Sequence, residues 1–164
     1  EENKGYDYGN YCDSLTFCFS KGLGAPVGSM LLGNNEFIEN SREYRKKLGG
    51  GMRQVGILAS AAKFAINKRE ELLNDHDKTV YIYKKLDEIK EKLNSIDEIE
   101  YKGTNMIFLN FQDHDSSINF IENLEKRNIK SGLIRKNIVR LVFHKDINKG
   151  DLDKIVEAIT YSSS

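Results

Sequence analysis

A lysine closes the first apolar strand of this chain, and three glycines around the single proline follow it at once. From Asp13 to Ser20 the residues alternate, with Leu15, Phe17 and Phe19 on one face and Thr16 and Cys18 on the other, as a half-buried strand requires. The strand is expected to end at Lys21. Glycines 22, 24 and 28 around Pro26 break any regular element, and Ser29 to Gly33 reads as a short return strand closed by Gly33-Asn34-Asn35. A turn-rich loop therefore carries Lys21. A lysine in that place is open to two readings. It caps the strand and extends its ammonium to water, or it is a neutral amine held as a nucleophile by partial desolvation and nearby cations, with Lys46 and Arg53 as candidates.

Downstream, residues 36 to 47 have helical composition and stop at the triplet Gly49-Gly50-Gly51. Residues 55 to 66 are alanine-rich and apolar on most sides, which predicts a deeply buried helix. Val80, Tyr83, Leu86, Ile89 and Leu93 recur at spacings of three or four, predicting a long amphipathic connector over 77–93 with His76 at its start. Strand, helix, strand, strand and helix follow: Met106 to Phe111, Ser117 to Lys126, Leu133-Ile134 paired with Ile138 to Phe143, and a last helix carrying Leu152, Ile155, Val156 and Ile159. Asn148 is placed to cap that helix. Two parts are expected, 1–75 and 76–164, the second being the connecting helix and a small α/β domain.

Lysines and arginines number 25 and aspartates and glutamates 25, so no net field exists to draw a nucleic-acid backbone or an anionic membrane. No apolar run approaches the roughly 18 residues of a spanning helix. Cys12 and Cys18 show neither paired Cys-x-x-Cys spacing nor a disulfide framework, consistent with a reducing, cytoplasmic compartment. His76 and His114 have no partner at metal-ligand spacing, and no metal is expected. His144, on the face of Arg140, is read as ordering the turn that follows.

Three blocks carry a resemblance that spans nearly the whole chain. They are Ser20-Lys21-Gly22-Leu23-Gly24-Ala25-Pro26-Val27-Gly28-Ser29; Arg45-Lys46-Lys47-Leu48-Gly49-Gly50-Gly51-Met52-Arg53-Gln54 with Gly56-Ile57-Leu58-Ala59; and Val139-Arg140-Leu141-Val142-Phe143-His144-Lys145-Asp146-Ile147. In sequence and order they resemble the low-specificity L-threonine aldolases. The resemblance implies an α/β chain of the fold type I pyridoxal-phosphate, aminotransferase-like class: the carboxy-terminal half, with the end of a large cofactor-binding domain over 1–75. It implies that Lys21 holds pyridoxal 5'-phosphate covalently and that Arg140 grips the substrate carboxylate, a planar fork meeting two oxygens. Arg135 competes for that role if the strand register is displaced. Lys46 and Arg53 would lie near the cofactor phosphate and a subunit contact, in a homodimer or homotetramer; the alternative is a hinge with solvated cations.

The implied reaction cleaves L-threonine or L-allo-threonine to glycine and acetaldehyde. The residues that stack on the cofactor ring, pair its nitrogen and act as base are drawn in this family from earlier sequence, so the 164 residues alone are expected to be nearly inactive. Two rivals stand beside this reading: another enzyme of the same architecture, such as a β-eliminating lyase, and a non-catalytic carboxy-terminal dimerisation module.

Overall fold

The computed structural model describes residues 7–163, which divide into two compact units between Glu70 and Glu71.

In the first unit, β1 (Ser14–Cys18) and β2 (Ser29–Gly33) form an antiparallel pair with Ser14 opposite Gly33 and Cys18 opposite Ser29. The first strand stops three residues short of the expected Lys21, because Phe19 and Ser20 already belong to a turn. Helix α1 (Asn35–Lys47) starts where the Asn34 side chain accepts the Phe37 amide at 2.8 Å. It ends as the glycine triplet predicts. Gly49 is left-handed at φ 81°, and the Gly50 amide donates back to the Arg45 carbonyl at 2.7 Å, a Schellman closure. A Cβ on Gly50 would stand 2.8 Å from Arg45 Cγ and 3.1 Å from the Arg45 carbonyl oxygen, so a side chain is excluded there.

Helix α2 (Gly56–Asn67) corrects an expectation. It buries Ala65 alone, while Ile57 and Phe64 are exposed. Only the side bearing Ala62, Ala65 and Ile66 finds a partner, packing with Phe17, Phe19, Leu23 and Ala25. Composition foretold an apolar helix, but burial needs a surface on every side, and nothing among the described residues supplies the others.

The second unit has two layers. Strands β3 (Ile96–Tyr101), β4 (Met106–Phe111), β5 (Gly132–Arg135) and β6 (Ile138–Val142) form an antiparallel sheet in the order β3-β4-β6-β5. Helices α3 (Leu72–Glu88), α4 (His114–Glu125) and α5 (Leu152–Ser162) cover one face. Ile107, Leu109, Phe111, Val139 and Leu141 point from the sheet into a core closed by Ile82, Leu86, Phe120, Leu124 and Ile159. Each large side chain buried there contributes on the order of 2 kcal/mol by the area removed from water.

Three further expectations are corrected. Helix α3 begins five residues before Asp77 and ends at Glu88, so His76 lies inside it; Asp75, Lys78, Thr79, Ile82 and Leu86 form its buried side. Strand β3 was not anticipated, because a register shift between Ile96 and Glu98 breaks the alternation that would have announced it. Asn148 does not cap α5. It precedes a single 3-10 turn, Lys149–Asp151, where its side-chain amide donates to Asp151 at 3.4 Å.

Candidate active site

Lys21 lies in a loop tied by three backbone bonds. The Phe19 amide donates to Gly28 O at 2.9 Å, Ala25 N to Phe19 O at 2.9 Å, and Gly24 N to Lys21 O at 2.8 Å. These bonds turn the chain sharply on either side of the lysine. Two of its glycines are left-handed, Gly24 at φ 78° and Gly28 at φ 114°, where a side chain would be strained. Phe19 and Ala25 are buried beneath the loop, and Phe17 meets Phe19 edge-on with ring centroids 5.0 Å apart. The loop is thus anchored from below, while Lys21 itself is exposed.

The partial desolvation expected for this amine is not supplied by the described residues. Every residue of β2 is exposed as well, including Met30, Leu31 and Leu32, so this side of the unit is bare as a whole.

Lys46 stands in the last turn of α1, and Arg53 lies beyond the glycine triplet, ahead of α2. Both are exposed. Helix α2 starts at Gly56 with no side-chain cap, leaving its first amides without a side-chain acceptor.

Arg140 belongs to the second unit. In β6 the pattern alternates: Val139 and Leu141 face the core, while Ile138, Arg140 and Val142 project from the face away from the helices. Across the sheet Arg140 pairs with Phe108 on one side and Gly132 on the other, and Phe108 pairs in turn with Glu100. That glutamate is the acid nearest in register, and it is already engaged. Lys102 Nζ lies 2.8 Å from Glu100 and Asn110 Nδ2 donates to it at 3.1 Å, and these bonds hold its carboxyl below the usual carboxylate range. Arg135, the competing arginine, lies in β5 opposite Ile138, beyond a register shift. His144 behaves as expected for a turn-ordering residue, its Nδ1 accepting the Asp146 amide at 3.4 Å.

None of Lys21, Lys46, Arg53 and Arg140 has a side-chain hydrogen bond or ion pair among the described residues. Pyridoxal phosphate offers an aldehyde, a dianionic phosphate and a flat ring. An uncommitted amine on an anchored loop whose glycines carry no side chain, with uncommitted cations in the same unit, is a donor set that fits it. The described residues contain no cluster of metal-ligating side chains.

One buried polar pair was missed in the sequence. Asp75 and Lys78 are joined at 3.0 Å inside the second unit, with side chains 3% and 6% exposed. Their i, i+3 spacing on a helix was the available signal, but residues 74–76 read as a helix start and hid it.

The fold is that of aminotransferase-like proteins. An S-selective transaminase from Arthrobacter sp., solved with alanine bound, superposes with a TM-score of 0.69 at 16% identity, over 94% of this chain and 39% of that one. Sequence narrows the class. Residues 5–112 match the family model described as beta-eliminating lyase, and the chain belongs to that family. It is 39% identical over 147 residues to the low specificity L-threonine aldolase of Escherichia coli strain K12, covering 88% of this chain and 41% of that protein. It is also 39% identical over 145 residues to low-specificity L-threonine aldolase 1 of Arabidopsis thaliana, covering 85% of this chain and 39% of that one. The chain thus spans about two fifths of the length of these curated relatives.

Proposed function

We propose that the whole protein built on this chain is a pyridoxal-phosphate lyase that cleaves L-threonine or L-allo-threonine to glycine and acetaldehyde. The 39% identity to two L-threonine aldolases supports carbon–carbon cleavage as the reaction. The observation that supports the assignment of roles is the uncommitted Arg140, whose nearest acid in register, Glu100, lies two strands away across Phe108 and is already taken up by Lys102 and Asn110. A guanidinium with no carboxylate partner of its own among the described residues is available to a carboxylate from outside.

In this reading Lys21 would hold the cofactor through its aldehyde. Lys46 and Arg53 take the phosphate, in this subunit or a partner's. Arg140 fixes the substrate carboxylate and with it the orientation of the Cα–Cβ bond. When bound, the cofactor supplies an electron sink for the pair released as that bond breaks. Residues 1–75 belong to the end of a large domain, which they do not make up alone, and 76–164 to the connecting helix and small domain, in a cytoplasmic homodimer or homotetramer. The described residues include no helix long and apolar enough to cross a membrane.

The test is the full-length protein, supplied with pyridoxal phosphate and L-threonine. Glycine and acetaldehyde in equal amounts are expected. A 2-oxo acid and ammonia would instead favour β-elimination, the chemistry for which the matching family is named.

A further inference from the structure

Asp75 and Lys78 are the charged side chains that the described residues bury most completely, both in α3. Lys78 Nζ donates to Asp75 Oδ1 at 3.0 Å and, across 66 residues, to the His144 backbone carbonyl at 2.9 Å. Stability alone does not call for such a pair, since apolar residues of similar volume usually serve a core as well or better. A charge-assisted bond to one carbonyl does what apolar packing does not: it fixes a direction and a register. The carbonyl it fixes lies just past the end of β6, the strand that carries Arg140. The same exit is held from the β4 side, where Phe143 N donates to Asn105 O at 2.9 Å and Asn105 Nδ2 to Phe143 O at 2.7 Å.

We infer that the Asp75–Lys78 pair is a positioning device for Arg140, clamping the exit of β6 to α3 so that the guanidinium is held in place for the substrate carboxylate. The inference rests on the carboxylate role proposed for Arg140.

Removing one partner leaves a buried charge alone and endangers folding, so the test replaces both, Asp75→Leu with Lys78→Met, in the full-length protein. KM for L-threonine is expected to rise about tenfold with kcat nearly unchanged, the signature of lost substrate grip. The visible absorbance of the bound cofactor and the unfolding midpoint are expected to hold, and the Phe143 amide to exchange its hydrogen faster. In the Arg140→Ala background the same double replacement is expected to add no more than about a twofold loss, because the two changes remove one interaction. Multiplying losses, or a KM that stays put while Arg140→Ala raises it, would overturn the positioning role alone. If Arg140→Ala itself leaves KM unchanged, the carboxylate reading fails and this inference goes with it.

Discussion

At the scale of single residues, the proposed chemistry turns on a lysine that the fold presents and leaves uncommitted. Exposure of Lys21 in a loop stiffened by three backbone bonds gives an amine that is free while its backbone is not. Borohydride reduction of the full-length protein loaded with pyridoxal phosphate should attach the reduced cofactor to the peptide containing Lys21. Lys21→Ala should show no adduct there and lose at least about a thousandfold in threonine cleavage, the scale of a missing nucleophile. Adduct at another lysine instead would sink the assignment. Lys21 and Arg140 could be proposed from sequence because each stands within a block that resembles a family pattern. Asp75 and Lys78 were not: a buried ion pair and a solvated one look alike in a helix sequence, and only tertiary burial separates them.

At the scale of elements, regular periodicity was legible and its exceptions were not. The end of α1 at the glycine triplet and the pairing of β5 with β6 follow from local rules, whereas β3 was concealed by its bulge and the start of α3 by polar residues that become buried. Phe120 illustrates how firmly the second unit holds its helices, being fully buried with its ring 4.9 Å from that of Phe111. Phe120→Ala should cost about 3–5 kcal/mol in denaturant unfolding; a loss below about 1 kcal/mol would contradict the packing. Helix α4 also carries a pH signature. Asp113 caps it, accepting the Ser116 amide at 2.7 Å and the Ser116 hydroxyl at 2.9 Å, and the backbone bond above all lowers its pKa. A lowered folded value means that the cap stabilises above the ordinary aspartate value of about 3.9 and is lost as pH falls below it. Asp113→Asn should therefore flatten the acid limb of a stability-against-pH curve below about pH 4. An unchanged limb would rule the cap out as its source.

At the scale of the whole molecule, the two units differ sharply in how much apolar surface each hides. The second closes over a continuous core from Ile82 to Ile159, whereas the described residues of the first bury little apolar surface beyond Phe19, Ala25 and Ala65 and leave Ile57, Phe64 and the strand β2 uncovered. This imbalance, like the bare sides of α2, was invisible in a composition that is apolar in both halves. With cohesion so unevenly distributed, the 164-residue chain should melt in two stages rather than as one cooperative body. Gentle warming in the presence of a protease should digest the stretch before Glu70 first and leave a resistant remnant beginning near Glu71. Uniform digestion along the length would show that the halves share their fate after all.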